Sequence, residues 1–242
     1  MGAKCRGIIA LLAALLSVAA RADEPRVALH ANVVLAAGEL SFGATRTVPV
    51  LSRDVSVKAS YSLDAAFGFD LGLQLGLTDN IGVRASVSRA TRQGDGVPTA
   101  ELPPLPFGLP SSIDATLPDG RVEETAGHLD LVVSGGLGPV RGLLFGGVTL
   151  FDLDARLFGP VNIVVPGLPP IQVGAATALE VSDSPTGWNA GVGLDARLAD
   201  HLALGSFLRY SHATATLEPP GFDPIDVDAG GVHVAVGVRV LF

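Results

Sequence analysis

The chain has 242 residues, of which 48% are hydrophobic and 17% are charged, and its formal net charge is −8. The apolar content excludes a disordered chain, and the acidic balance argues against a nucleic-acid partner, which would select for a basic face. A single cysteine excludes a disulfide framework and a cysteine-based zinc site, and we expect no cofactor and no metal. The 30 glycines and 17 prolines favour strands and turns.

The first 22 residues have the pattern of a secretory signal peptide. Lys4 and Arg6 precede an apolar run, Ile8–Ala20, that is too short to span a bilayer as a helix. Ala20 and Ala22 supply the small residues that a signal peptidase recognises. We therefore predict a signal peptide at 1–22 and one mature domain at 23–242.

Alternation of apolar residues with small or polar ones predicts eight strands, because successive side chains of a strand point to opposite faces. They lie near residues 27–37, 66–77, 81–88, 128–137, 143–154, 188–198, 202–211 and 231–242. The last strand is the clearest. One of its faces carries Val232, Val234, Val236, Val238, Val240 and Phe242, and the other carries Gly231, His233, Ala235, Gly237 and Arg239.

The connections between these strands alternate in length, which is typical of a transmembrane barrel with short periplasmic turns and long outer loops. Three are tight turns at 78–80, 138–140 and 199–201, and the others cover about 38–63, 93–126, 157–185 and 218–228. A soluble sandwich is the alternative, but here the charged residues share a face with the glycines. The sequence therefore predicts an all-β, eight-stranded antiparallel transmembrane β-barrel.

The bulky face of each strand is predicted to contact lipid. Its aromatic residues lie near the loop-side ends, where they are expected to form an interfacial girdle of Phe67, Phe69, Phe151, Trp188 and Tyr210. In the strand at 143–154, the alternation assigns the bulky face to Leu143, Phe145, Thr149, Phe151 and Leu153. The same alternation assigns the inward face to Gly146, Val148, Asp152 and Asp154.

The eight strands, the turn Leu77-Thr78-Asp79-Asn80 and the terminal Phe242 resemble the small bacterial outer-membrane β-barrels. That superfamily includes the membrane domain of OmpA, OmpX and OmpW. The resemblance implies an outer membrane of the Gram-negative type, with membrane lipid, lipopolysaccharide and the outer-membrane assembly machinery as partners. It also implies an assembly signal formed by Val238, Val240 and Phe242.

The inward face carries charged residues that are predicted to form a polar network in the lumen. Its members are Asp70, Arg84, Asp130, Asp152, Asp154, Asp195, Arg197, Arg209, His233 and Arg239. An eight-stranded barrel is just wide enough for side chains to fill, and buried charges need partners. The expected role is structural or that of a narrow pore, without catalysis. A paired plug and a narrow water path both fit this pattern.

Two alternatives remain open. The loops at 102–110, 161–171 and 219–222 are apolar and rich in proline. They fit a lid of strand extensions, a partner contact, or a channel or carrier for a small hydrophobic ligand, as in OmpW-like members. Second, His212 and Thr214 resemble the His and Ser of lipid A deacylases of this fold. Asp226 or Asp228 would then orient the imidazole.

Overall fold

The computed structural model describes residues 27–50, 53–101, 112–113, 120–157, 161–164, 171–173, 179–219 and 223–242. The predicted signal peptide with Ala20 and Ala22 lies outside these residues, as do the loop at 102–110 and most of the other two apolar loops. In the described ranges, no helix is long and apolar enough to cross a membrane.

The described residues form 14 strands. Their bounds are β1 Val27–Ala37, β2 Leu40–Val50, β3 Arg53–Leu63, β4 Ala66–Gly76, β5 Ile81–Glu101, β6 Ser112–Ile113, β7 Gly120–Leu137, β8 Val140–Leu157, β9 Val161–Val164, β10 Ile171–Val173, β11 Leu179–Asp183, β12 Thr186–Ala199, β13 Leu202–Leu217 and β14 Ile225–Leu241.

Eight of these strands close into an antiparallel barrel, which confirms the predicted fold. Its order is β1, β4, β5, β7, β8, β12, β13 and β14, and β14 returns to pair with β1. The closing ladder joins Ala28 with Leu241 at one end and Ala37 with Val232 at the other. Closure leaves no free sheet edge in the membrane, where an unpaired backbone would be costly.

Much of the long connections is strand rather than irregular loop. The hairpin of β2 and β3 occupies the first connection, and β3 pairs with β5 from Gly94 to Glu101. In the third connection, β11 pairs with the outer end of β8. The barrel wall therefore continues well beyond the membrane on the extracellular side.

The outward faces of the eight strands define the membrane-spanning segments. We assign them to residues 27–35, 67–75, 81–87, 129–133, 140–148, 188–198, 202–210 and 232–240. Among the described residues, the exposed large hydrophobic side chains lie in these segments, apart from Leu77 and Phe242 at the turn end. Trp188 and Tyr210 contact each other at the extracellular border, with ring centroids 5.5 Å apart and ring planes tilted by 55°. Phe67 and Phe69 are exposed on the outward face of β4.

Beyond the membrane, the two faces of the wall exchange polarity. On β14, Ile225 and Val227 are buried inside the barrel, while Asp226 and Asp228 are exposed outside. On β13, Leu217 is likewise buried inside. Water replaces lipid around this part of the barrel, so apolar side chains are most stable inside it. The extracellular half therefore has an apolar interior above a polar lumen.

The predicted faces of β8 are wrong. Its buried residues include Leu143, Phe145, Thr149, Phe151 and Leu153, and its exposed ones include Leu144, Val148, Asp152 and Asp154. Two features of β8 explain the wrong assignment. In the membrane, both faces of β8 carry large side chains, since Gly191 and Gly193 on the neighbouring strand leave space in the lumen for Phe145 and Leu143. Above the membrane, the polarity exchange places Phe151 inside, so it is not part of the girdle.

Candidate functional site

The centre of the lumen is crossed by an ion pair between Arg209 on β13 and Asp70 on β4. The guanidinium Nη1 donates to Asp70 Oδ2 at 3.1 Å, and both side chains are at most 1% exposed. The other carboxylate oxygen accepts from Asn32 Nδ2 at 2.9 Å and lies 3.2 Å from His30 Nε2. Arg209 Nη2 donates to Ser86 Oγ at 3.3 Å. The pair of Asp70 and Arg209 thus connects β1, β4 and β5 with β13, which is separated from β4 by β14 and β1 in the barrel.

A second buried pair joins neighbouring strands. Arg84 on β5 donates from Nη2 to Asp130 Oδ2 on β7 at 2.8 Å, and from Nε at 3.1 Å. The free oxygen of Asp130 accepts from Asn189 Nδ2 on β12 at 2.8 Å. Asn189 is also 3.0 Å from Thr149 Oγ1, which contacts His128 Nδ1 at 2.9 Å. Hydrogen bonds to both carboxylate oxygens are what a buried charge requires.

Two phenylalanines fill the space between these guanidinium groups. Arg84 Cζ lies 3.7 Å from the ring centroid of Phe145, and Arg209 Cζ lies 4.7 Å from that of Phe207. The rings meet edge to face, with centroids 6.1 Å apart. Guanidinium groups over aromatic faces gain cation–π attraction while the rings exclude water. The middle of the lumen is therefore packed as well as charge-compensated.

A third pair closes the network toward the periplasmic turns. Arg239 Nε lies 3.3 Å from Asp195 Oδ1, and Arg239 also donates to Asn32. Glycine at position 205 makes room for this pair: a Cβ there would lie 2.5 Å from both Arg239 Cζ and Asp195 Oδ1. The three arginines and three aspartates balance in charge.

We expect Gly205→Ala to lower the free energy of unfolding by about 1 kcal/mol, because the added methyl makes the flexible ends of the Arg239 and Asp195 side chains shift. Gly135→Ala is the matched control, since a Cβ at Gly135 meets nothing within 4 Å. Urea unfolding in lipid vesicles measures both variants. Equal midpoints for the two would show that Gly205 is not needed to accommodate the pair.

Six members of the predicted network thus meet in the lumen as three ion pairs. His233 is buried as well, but its Nδ1 has no hydrogen-bond partner among the described residues. Asp152 and Asp154 lie above the membrane on the exposed face of β8, and not on the inward face to which they were predicted to belong. There, partial burial and the neighbouring carboxylates of Asp152, Glu123 and Glu180 raise the pKa of Asp154.

Arg197 also lies apart from the three pairs. It is exposed just before the register shift in β12 and lines a cavity of about 720 Å³ at the turn end of the barrel. Arg141, Asp195 and His201 line the same cavity. The lumen is therefore wide at its periplasmic end and narrows at the Arg239–Asp195 pair.

Sequence reasoning missed Phe145 and Thr149 as lumen residues because of the exchanged faces of β8. It also missed Arg92 and Glu124, which are buried inside the barrel above the membrane. Glu124 lies in the connection at about 93–126, and Arg92 lies just before it, beyond the predicted strand end at residue 88; β5 and β7 extend through these positions. The sequence did contain a signal for them, because the alternation of β5 and β7 continues beyond the predicted strand ends and places these polar residues at inward positions.

The two residues of the enzyme alternative share the outward face of β13, and Asp228 lies opposite Thr214 in the ladder. His212 and Thr214 point outward just above Tyr210. Asp226 accepts a hydrogen bond from Thr216 Oγ1 at 2.9 Å instead. In the described part of the chain, His212 has no hydrogen bond or ion pair that would orient its imidazole.

The residues of the predicted assembly signal face outward on the last strand. Val238, Val240 and Phe242 are all exposed, and the backbone amide of Phe242 donates to Val27 O at 2.9 Å. The chain terminus therefore completes the ladder between β14 and β1.

Comparisons with known proteins agree with this architecture. A model of the outer membrane protein beta-barrel domain matches residues 8–239. The crystal structure of the outer membrane protein OprG from Pseudomonas aeruginosa is similar, with 12% identity and a TM-score of 0.57, covering 90% of this chain and 96% of that one. Neisserial surface protein A is 11% identical with a TM-score of 0.45, covering 91% and 100%. Comparison with curated proteins gave no match.

Proposed function

Because the chain belongs to the outer membrane protein beta-barrel domain family, we propose that it is a structural, non-catalytic barrel whose lumen is closed to solutes. The observation that carries the proposal is the packed network of Arg84, Arg209 and Arg239 with Asp70, Asp130 and Asp195. These groups come from six of the eight strands. They link the strands of the wall at the middle of the lumen, where an open channel would require a continuous column of water.

Two physical arguments support a closed lumen. The buried guanidinium and carboxylate groups are compensated by each other, so no counter-ion has to enter. Phe145 and Phe207 occupy the remaining width, and an eight-stranded barrel has little more room than its own side chains fill. Above them, most inward residues of the extracellular half are apolar, with Arg92 and Glu124 as charged exceptions, and apolar residues offer a hydrated ion no compensation for its lost water.

Solute release from lipid vesicles tests the proposal. Vesicles that contain the folded wild-type protein are expected to retain an entrapped monosaccharide as well as protein-free vesicles do. Rapid release by the wild-type protein would overturn the closed lumen and favour a narrow pore. A porin of known pore size in the same vesicles is the positive control.

One set of observations favours a second candidate, a carrier of small hydrophobic molecules. The extracellular interior is apolar, and its wall has a seam above Trp188, where the ladder between β12 and β13 ends. Beyond that point the Asp183 carboxylate, rather than a neighbouring strand, accepts from the Thr216 amide at 2.9 Å. Through a seam beside an apolar interior, a hydrophobic molecule could pass from the extracellular half into the membrane and would not have to cross the polar network.

Uptake of a fluorescent hydrophobic probe by intact cells separates the two candidates. The carrier predicts faster uptake on expression of the chain, and Leu217→Glu, which places a charge in the apolar interior, is expected to abolish the increase. The structural barrel predicts the same uptake with and without expression. Thr214→Glu, on the exposed face of the same strand and below the contact of Thr216 with Asp183, is the matched control.

We also propose membrane lipid and lipopolysaccharide as the surroundings of the outward face, and the outer-membrane assembly machinery as a partner of Val238, Val240 and Phe242. Deletion of Phe242 is expected to leave the protein exported but poorly inserted. The reason is that the terminal aromatic resembles the signal recognised during assembly. Folded outer-membrane yield at low expression measures the effect, and an undiminished yield would count against this partner.

A further inference from the structure

A separate buried contact crosses the barrel above the polar network. Glu124 on β7 is 7% exposed, and its Oε2 accepts from the backbone amide of Gly230 on β14 at 3.1 Å. Three strands separate β7 from β14 in either direction around the barrel. A single side chain therefore connects diametrically opposite walls of the extracellular half.

The backbone of β14 is adapted to this contact. Gly230 and Gly231 have φ values of 95° and 106°, which residues with side chains rarely adopt. A Cβ at Gly230 would also lie 2.5 Å from Ser211 O. The two consecutive glycines allow the strand to direct one amide into the lumen, where the carboxyl group of Glu124 accepts its hydrogen.

The surroundings of Glu124 are mostly apolar. In the ladder it lies opposite Leu153 on β8, and Ala126 and Val122 are its inward neighbours on β7. The charged group facing it is Arg92 on β5, whose Nη1 donates to Gly38 O at 2.7 Å. Among the described residues, the other inward titratable groups nearby are His128 on β7 and His233 on β14.

Burial favours the neutral form of this carboxyl group. Glu124 lies outside the membrane-spanning segments, since the next outward residue on its strand is the charged Glu123. Burial is the largest influence and raises the pKa of Glu124, while the Gly230 amide and Arg92 act in the opposite direction. The packed state therefore loses stability as the pH rises above the ordinary carboxyl range, because ionisation of Glu124 is disfavoured there.

We propose that Glu124 and the Gly230 amide form a proton-dependent latch that holds the extracellular half of the barrel closed. With a neutral carboxyl group, the hydrogen bond joins the opposite walls and the interior stays dry. Because burial outweighs the Gly230 amide and Arg92, the carboxylate is most stable where water reaches it, so ionisation favours an open state in which the hydrogen bond between Glu124 and Gly230 is broken. This latch goes beyond the proposed function, because it acts above the Arg209–Asp70 pair whether or not that pair blocks solutes.

Nuclear magnetic resonance of the ¹⁵N-labelled protein in micelles across a pH series tests the latch. The amide resonance of Gly230 is expected to titrate with the ionisation of Glu124. Between the ordinary carboxyl range and that midpoint, hydrogen-exchange protection at Val227 and Ala229, corrected for intrinsic exchange, should fall by up to about tenfold per pH unit, the slope for release of one proton on opening.

Two variants make the result specific. Glu124→Gln keeps the shape and an acceptor oxygen but cannot ionise, so it should abolish both the titration and the loss of protection. Glu123→Gln, which removes the neighbouring outward carboxyl group, should leave both unchanged. A Gly230 resonance that does not titrate in the wild-type protein, or protection that falls equally in Glu124→Gln, would overturn the latch. The wild-type titration is decisive even if a variant fails to fold.

Discussion

Replacement of Arg209 by alanine is expected to lower the free energy of unfolding by up to about 3–5 kcal/mol, the cost of leaving a buried charge without its partner. The uncompensated group is Asp70, which is fully buried and has no other arginine within ion-pair distance among the described residues. Urea unfolding in lipid vesicles measures the loss. The fluorescence of Trp188, the only tryptophan, reports the transition.

The same change removes a large side chain from the middle of the lumen, so single-channel conductance is expected to rise together with the loss of stability. Adding Asp70→Asn should recover part of the stability, because it removes the unpaired carboxylate. It should not close the lumen again, because the volume of the Arg209 side chain is still missing. Arg197→Ala is the control, since Arg197 is exposed at the wide end. If Arg209→Ala changed neither quantity, Asp70 would have to be solvated by water in an open lumen.

The second large effect is expected on the outward face. Val236 is 54% exposed in the middle of the apolar band on β14, so Val236→Arg should cost about 2–4 kcal/mol of unfolding free energy in a bilayer. The cost arises because the guanidinium group must sit in hydrocarbon or distort the surrounding lipid. Urea unfolding in vesicles measures this variant too.

Thr214→Arg is the matched control for depth. Thr214 is exposed on the outward face of β13 above Tyr210, where water surrounds the barrel, so arginine there should change stability little. Ala235→Ser, on the inward face beside Val236, should also cost less than Val236→Arg. Equal losses for Val236→Arg and Thr214→Arg would mean that the apolar band is not placed in the bilayer as assigned here.

The fold was predictable where one face of a strand is bulky and the other small. On β14 and β12, valine or leucine alternates with glycine, alanine and single polar residues, so the two faces are unambiguous. The alternation also predicted the closing strand at the chain end and the inward position of Arg209. Short and long connections then predicted which end of the barrel faces the periplasm.

Strand β8 could not be assigned in this way, because no single polarity rule applies along its length. Its membrane half has Leu143 and Phe145 inside and Leu144 and Val148 outside, so both faces are apolar. Its outer half follows the rule of a water-soluble sheet. When a strand passes from lipid into water, its side chains still alternate with a period of two. The face that carries the apolar residues, however, changes from the outward one to the inward one.

The sequence also could not predict which charged side chains pair with each other in the lumen. Arg209 and Asp70 are 139 residues apart, and their contact depends on barrel closure and on the stagger between distant strands. No local pattern encodes that stagger. The sequence predicted that Arg209 and Asp70 point inward, whereas the pairing of Arg239 with Asp195 depends on the space left by Gly205.

The conductance of the wild-type protein in planar bilayers tests the closed lumen most directly. With the three ion pairs intact and Phe145 and Phe207 packed between them, the folded protein is expected to insert without producing discrete current steps. Insertion is verified in the same preparation by the faster gel mobility of the unheated, folded form. Regular current steps that scale with salt concentration would contradict the account, because they require a continuous water path past Arg209.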